Sequence, residues 1–294
     1  MKNAKELKSL VQEKYSEIAL QDKTVNAASC CGAGPVSGQV YTIMSDDYTA
    51  MEGYNADADL GLGCGLPTQF AKIQKGDTVI DLGSGAGNDA FIARHETGPE
   101  GKVIGIDFTP AMIQKARENS DKLGYNNVEF REGDLENMPV SNDVADVIVS
   151  NCVLNLVPDK TRVLSEIYRV LKPGGHFSIS DIVLVGDLPE SLQKDAEMYA
   201  GCISGALQKE DYLQKIKAAG FQNIQVQKEK VVLLPDDILT AYLSPEEISA
   251  FAKKENGIFS VTVYAEKPGT KKKIQLQTLG AIESSCCTPG GGCC

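Results

Sequence analysis

The stretch Thr78-Val79-Ile80-Asp81-Leu82-Gly83-Ser84-Gly85-Ala86-Gly87-Asn88-Asp89 constrains the fold more than any other part of the chain. A β-branched run ends in an acid, glycines follow at alternate positions, and Ala90 to Arg94 has a helical pattern. The order is strand, tight loop, helix start. Gly83, Gly85 and Gly87 have no Cβ, so they can take positive φ and let the backbone close on a ligand at a helix N-terminus. The loop implies a nucleotide-like cofactor, although glycine trios also occur in ordinary turns.

The spacing separates two cofactor classes. A dinucleotide fingerprint reads G-x-G-x-x-G, but here the third glycine comes one residue early and Asn88 stands in its place. Asp81 lies two residues before Gly83, where its carboxylate suits a cationic amino group and not a phosphate. The stretch resembles the first motif, D/E-x-G-x-G-x-G, of the Rossmann-like S-adenosylmethionine (SAM) methyltransferases.

The rest of the chain supports an α/β fold. An amphipathic helix is expected over residues 4 to 20, where Leu7, Leu10, Val11, Tyr15, Ile18 and Ala19 recur at three-and-four spacing. From Ala27 to Gly65 the chain turns to Gly, Ser, Asp and Tyr with little periodicity, which reads as a long functional loop or lid. Pro67 starts a short helix through Lys72. Strands are then expected at Thr78 to Leu82, Lys102 to Ile106, Asn127 to Arg131, Asp146 to Ser150 and His176 to Ile182. Between them, Ala111 to Leu123 reads as a helix capped by Thr109-Pro110 and ended by Gly124, and Asp159 to Leu171 as another closed by Pro173-Gly174-Gly175. This alternation implies a parallel sheet covered on both faces. Further on, Leu188 to Met198 and Lys209 to Ala219 read as helices. Phe221 to Lys230 and Ile258 to Glu266 read as an antiparallel strand pair extending the sheet, with an insertion from Pro235 to Lys254. The expected organisation is a Cys-bearing N-terminal lid (1–75), a cofactor-binding core (76–185), a sheet extension (186–267) and a Cys-rich tail (268–294) that is disordered when empty.

Composition narrows the partners. A formal net charge of −11 opposes a phosphate backbone, and Lys271-Lys272-Lys273 is too short to make a basic patch, so no nucleic acid is expected. No uncharged apolar run is long enough to span a bilayer and the first residues lack a signal-peptide pattern, so the expectation is a cytoplasmic protein without membrane contact. Nine cysteines in a reducing compartment then read as thiols, ligands or redox centres and not as structural disulfides.

Asp107, at the end of the second strand, is placed to accept two hydrogen bonds from a ribose diol, or alternatively to cap the helix at Pro110. Asp134 and Leu135 follow the third strand. In the methyltransferase resemblance an acid here receives the adenine amine while its neighbour packs on the ring; a plain turn aspartate is the other reading. Leu171-Lys172-Pro173-Gly174-Gly175 also resembles these enzymes, which together implies a Rossmann-like class I SAM methyltransferase sheet.

The acceptor should lie beyond the C-terminal ends of the strands, and directly after the fourth the chain reads Ser150-Asn151-Cys152-Val153-Leu154-Asn155-Leu156. Asn151 is counted with the cofactor contacts. Taken singly, Cys64, Cys152 and Cys202 read as buried small hydrophobes. In context, Gly63-Cys64-Gly65, Ser150 to Leu156 and Gly201-Cys202-Ile203-Ser204-Gly205-Ala206 resemble the arsenite SAM methyltransferases over about Tyr54 to Glu266. The resemblance implies that Cys64, Cys152 and Cys202 hold trivalent arsenic, that a fourth thiol, Cys30 or Cys31, takes part in redox, and that the activity serves arsenic detoxification. It further implies that thiols reduce the oxidised arsenic through disulfides such as Cys31 with Cys64, later reopened by a cytosolic thiol reductant.

The chemistry agrees with the residue types. Trivalent arsenic is soft and prefers sulfur, and its lone pair can attack the sulfonium methyl without a general base. His95 and His176 are accordingly read as structural. Cys286, Cys287, Cys293 and Cys294 form two vicinal pairs suited to arsenic capture, or alternatively to zinc or copper. Two other functions remain open from the sequence: a SAM methyltransferase for a small organic acceptor, and a metalloid-binding protein without turnover.

Overall fold

The computed structural model describes residues 3–20, 46–186, 202–203, 205–233, 240, 243–246, 248 and 257–269. The three-and-four spacing of the first segment produces α1, Ala4–Ala19, started by a capping box between Asn3 and Glu6. Its inner side buries Val11, Ile18 and Ala19. Next in order, α2 (Pro67–Phe70) is shorter than expected, because Ala71 already caps it and Lys72 takes a φ of 50°.

The core alternates as the sequence implies: β1 (Thr78–Leu82), α3 (Asn88–Thr97), β2 (Lys102–Asp107), α4 (Pro110–Leu123), β3 (Val128–Glu132), β4 (Ala145–Asn151), α5 (Lys160–Val170) and β5 (Leu171–Val185). These five strands pair in parallel in the order β3-β2-β1-β4-β5. A short β6 (Leu207–Gln208) lies parallel to part of β5 and leads into α6 (Lys209–Ala218). The sheet then continues with β8 (Gly257–Glu266) antiparallel to β5, and β7 (Gln222–Val232) antiparallel to β8.

Alternation along the strands feeds two apolar layers. Ile80, Ile104, Ile148 and Phe177 pack with Val163 and Ile167 of α5 on one face, while Val79, Val103, Val147 and Val149 pack with Phe91 and Met112 on the other. Each such side chain contributes about 1.5–3 kcal/mol by leaving water. The core is therefore stiff enough to hold loops at its C-terminal edge in place. Across that edge lies α1, with Lys115 Nζ donating to the Ala19 carbonyl at 2.9 Å and Gln12 Nε2 to that of Phe108 at 2.9 Å.

Two local expectations are corrected. The helix expected to close at Pro173-Gly174-Gly175 ends at Val170, and Leu171 already pairs with Ala145. Pro173 to Gly175 instead occupy an irregularity inside β5, where the pairing jumps from Ala145–Leu171 to Val147–His176 and Gly174 takes a φ of 77°. A residue without an N–H cannot serve the ladder, so the bulge is where a proline belongs. Thr109 does occupy the N-cap of α4, but its side chain makes no capping bond. The Asp107 carboxylate accepts the Thr109 N–H instead, at 2.8 Å. Gly124 ends α4 in the left-handed region, as the sequence implies.

The expected helix Leu188 to Met198, Cys30 and Cys31, most of the Pro235 to Lys254 insertion, and the tail with Cys286, Cys287, Cys293 and Cys294 lie outside the described residues. Among the described residues, no helix is long and apolar enough to cross a membrane.

Candidate active site

The glycine loop bridges β1 and α3. Gly83, Gly85 and Gly87 have φ of 66°, 50° and 101°, the left-handed region that disfavours a side chain. Gly83 has a second reason to be glycine, since a Cβ there would overlap the Val153 side chain. Gly85 faces open space, with nothing within 4 Å of where its Cβ would be. Asp107 Oδ2 accepts the Gly85 N–H at 3.0 Å and so ties the loop to the end of β2.

Beneath the loop lies an acidic floor. Asp81 is 2% exposed and its Oδ2 has no hydrogen-bond partner among the described residues. Burial, together with Asp89 and Asp107 nearby, holds its carboxyl well above the ordinary range. Burial likewise pushes Asp89 up to about 6 and raises Asp107. Three acids in one buried place call for a cation. The cleft above them has an empty volume of about 1070 Å³ and is lined by Asp81, the glycine loop, Asp107, Asp134, Leu135, Asn151 and Cys152, with Lys8, Val11 and Tyr15 of α1. Asp134 caps its own turn through the Glu136 N–H at 3.0 Å and accepts from Lys8 Nζ at 2.5 Å.

On the far side of Asn151 lies the thiol pocket. Cys64, Cys152 and Cys202 are free and buried, at 0%, 5% and 3% exposure, and share one apolar cluster with Val11, Leu156, Ile182, Ile203 and Ile258. Cys152 and Cys202 have φ of 61° and 67°. Such a conformation costs a non-glycine residue about 1–3 kcal/mol and needs surrounding structure to impose it. Here the Cys152 N–H is held by the Ser180 carbonyl at 2.7 Å, and Cys202 Sγ donates to the Cys152 carbonyl at 3.0 Å.

The Cys152 thiol hydrogen bonds to both Cys202 and Cys64, and these bonds with burial push its ionisation well up; burial also raises Cys64. Both are neutral thiols at neutral pH. Among the described residues, no three His, Cys, Asp or Glu side chains are arranged to hold a metal ion. The Cys152 thiol stands between the other two and bonds both, so the three sulfurs are not ligands already spread about a common centre.

Asn151 joins the cleft to the pocket. Its Oδ1 accepts the Cys64 N–H at 2.9 Å and the Gly65 N–H at 3.3 Å, while Nδ2 donates to the Gly65 carbonyl at 2.8 Å. The same Nδ2 reaches Tyr48 Oη, and Asp89 Oδ2 at 3.3 Å. A Cβ on Gly63 would come within 2.6 Å of that nitrogen, so the glycine lets the Cys64 loop approach. Ser260 Oγ donates to the Cys64 carbonyl from β8.

A family model described as a methyltransferase domain matches residues 73–220. An arsenite methyltransferase of Halobacterium salinarum is 40% identical over 283 residues, covering 91% of this chain and 68% of that protein. The chain belongs to the arsenite methyltransferase family. Another arsenite methyltransferase, from Aquipseudomonas alcaligenes, is 31% identical over 240 residues, covering 79% of this chain and 67% of that one. The crystal structure of an arsenic(III) S-adenosylmethionine methyltransferase from Chlamydomonas reinhardtii matches with a TM-score of 0.60 at 34% identity, covering 71% of this chain and 69% of that chain. The Rossmann-like class I methyltransferase sheet expected from the sequence is the fold observed.

Within this arsenite methyltransferase family member, sequence reading missed Tyr48, Asp89 and Ser260. Asp89 had a usable signal, being an acid in the first turn after the glycine loop. Tyr48 had none, because nothing local tells that its hydroxyl reaches Asp89 at 2.9 Å and the Gly65 carbonyl at 3.0 Å. The histidines stand away from both sites: His95 pairs with Glu52 at 2.8 Å, and buried His176 bonds the Ala71 carbonyl at 2.6 Å.

Proposed function

We propose that this protein transfers methyl groups from S-adenosylmethionine to trivalent arsenic bound by Cys64, Cys152 and Cys202. The observation that carries the reading is the meeting of three buried free thiols from distant parts of the chain, with Cys152 also lining the cleft beside the acidic floor.

The cleft suits this cofactor by the chemistry of its donor set. When bound, S-adenosylmethionine supplies a methyl group on a sulfonium sulfur. Asp81, with an oxygen to spare, would face its ammonium group. Asp107 accepts two backbone N–H bonds and, with about four lone-pair directions on a carboxylate, retains capacity for the ribose diol. Asp134 would take the adenine amine beside its bond to Lys8, with buried Leu135 against the ring. Asn151 lines the cleft but spends its amide on the Cys64 loop, so its contribution is to orient a thiol.

Arsenous acid can load without charge separation: three thiols replace three hydroxyls, and each S–H proton leaves with one hydroxyl as water. The neutral product suits a pocket walled by Val11, Leu156, Ile182 and Ile258. With the cofactor bound, the arsenic lone pair would form the As–C bond as the S–C bond electrons return to sulfur, leaving S-adenosylhomocysteine and passing the sulfonium's positive charge to arsenic. Arsenic carries no proton, so no base is needed; alignment and exclusion of water do the work. The transfer leaves arsenic pentavalent. In this reading the Cys31 or Cys30 thiol would then attack the Cys64 sulfur on arsenic: the As–S bond electrons return to arsenic, which becomes trivalent and neutral, the attacking thiol loses its proton, and the disulfide formed with Cys64 is later reopened by a thiol reductant. Free thiols of this kind are maintained in a reducing compartment such as the cytoplasm. The tail cysteines would serve capture of arsenic, and the division into lid, core, extension and tail follows these roles.

Incubation with arsenite, SAM and a thiol, read by arsenic speciation, tests the proposal. It predicts methylated arsenic with matching S-adenosylhomocysteine. Bound but unmethylated arsenite would favour a binding protein, and methyl transfer to an organic acceptor alone would favour the small-molecule alternative.

A further inference from the structure

Tyr48 and Asn151 belong to the cleft and to the Cys64 loop at once. Tyr48 Oη contacts Asp89 Oδ2 and the Gly65 carbonyl; Asn151 Nδ2 contacts Gly65 O, Asp89 Oδ2 and Tyr48 Oη. These five contacts share three hydrogens, two on the amide and one on the phenol. They cannot all be satisfied together, so the junction has more than one arrangement of donors. Which arrangement holds depends on how strongly Asp89 demands a donor. Asp89 in turn lines the same cleft as Asp81, and the two acids repel one another there.

We propose that Tyr48, with Asn151, is a positioning residue that couples the two binding events. A cationic group resting on the acidic floor fixes the donors around Asp89, and through Tyr48 and Asn151 fixes the peptide that presents Cys64. The inference rests on the functional reading above and concerns Cys64 alone. Cys152 and Cys202 are held by other bonds, the Cys152 N–H to Ser180 and Cys202 Sγ to the Cys152 carbonyl. Coupling must therefore distinguish arsenicals by the number of thiols they take. Arsenite, which needs three, is coupled to the cofactor site; a trivalent monomethyl arsenical, which needs two, is not.

Tyr48→Phe tests the bridge without emptying it of donors. After the change, Gly65 O and Asp89 Oδ2 each retain the Asn151 amide, so the buried acceptors stay satisfied. Thr68→Val is the control, because Thr68 Oγ1 meets Asp89 Oδ1 at 3.4 Å without touching the Cys64 loop. Calorimetric titrations would use the full-length chain with its four tail cysteines changed to serine, with S-adenosylhomocysteine as the non-reacting probe.

In this parent chain, S-adenosylhomocysteine should tighten arsenite binding by about five-fold or more, and arsenite should tighten the nucleoside by the same factor. For the monomethyl arsenical the factor should stay below about two-fold. Tyr48→Phe should bring the arsenite factor down to that level, while Thr68→Val keeps it. A parent chain that binds both ligands without coupling overturns the inference and leaves the functional reading standing. So does a Tyr48→Phe chain with undiminished coupling, or equal coupling for the two arsenicals. A parent chain that binds neither arsenite nor the nucleoside overturns the functional reading, and the inference with it.

Discussion

The acidic cleft and the thiol cluster meet at Asn151 and Cys152, yet they are made by opposite means. The cleft is assembled from strand ends and backbone: three glycines at positive φ, and acids that close β1 and β2 or open α3. It gathers acids: burial and the neighbouring Asp89 and Asp107 raise Asp81, and burial raises Asp89. The pocket is assembled from three segments far apart in sequence, on backbone that two cysteines adopt only under constraint. It gathers neutral soft atoms in an apolar wall. One site gathers acids that suit a cation, and the other gathers neutral thiols that suit a soft, uncharged arsenical.

The largest effects should come from the pocket. Cys152→Ser or Cys202→Ser each should reduce arsenite methylation to background in a speciation assay, because a hydroxyl is a poor ligand for a soft centre. Cys64→Ser should do the same with arsenite but hurt less with a methylated arsenical, which already carries one As–C bond. Equal loss on both substrates would break the distinction between Cys64 and the other two thiols.

Next come changes in the cleft. Asp107→Ala removes hydrogen bonding to a charged group, and a net loss of about 1.5–3 kcal/mol in all should weaken SAM by roughly 10–150-fold, with arsenite binding largely intact. Gly83→Ala should damage both sites together, since its Cβ overlaps Val153, the neighbour of Cys152. SAM and arsenite titrations of the two variants would separate a cleft defect from a shared one.

How much of this could be read from the sequence follows the same contrast. The glycine loop and Asp81 were legible because a strand, a turn and a helix start follow one another directly in sequence, and Asp107 because it closes the next strand. Cys64, Cys152 and Cys202 were recognised through resemblance, since their meeting depends on chain crossings that no local pattern encodes. Pro173-Gly174-Gly175 looked like a helix stop because a bulge and a turn use the same residues, and only strand pairing tells them apart. Tyr48 was illegible for the reason Cys64 was not: it is an ordinary aromatic in an irregular segment, given its role by partners 17 and 41 residues away.

A smaller effect concerns the sheet face opposite Ser180. Buried Asp181 accepts from Tyr212 Oη at 3.1 Å, and burial pushes it up to about 7 from a usual value near 3.8. The folded chain thus holds this proton more tightly than the unfolded one, and the resulting stability is fully present below about pH 4 and lost as pH rises through about 7. Thermal unfolding of Asp181→Asn between pH 5 and 8 should show a smaller loss than the parent. A parallel fall in both chains would remove Asp181 as its source.

The smallest effect is expected from the tail. Truncation after Pro268 should leave SAM affinity unchanged and slow methylation only at low arsenite, because accessory thiols add capture and not chemistry. Rates across arsenite concentrations would decide; complete loss at saturation would merge the tail with the catalytic pocket.

In the proposed function three buried thiols, and not oxygen donors, hold the arsenic. X-ray absorption of arsenite bound to the full-length chain with serine at its four tail positions reads that shell directly. The account predicts three sulfur neighbours, falling to two sulfurs and one oxygen in Cys64→Ser. A shell dominated by oxygen, or one unchanged by Cys152→Ser, would contradict it.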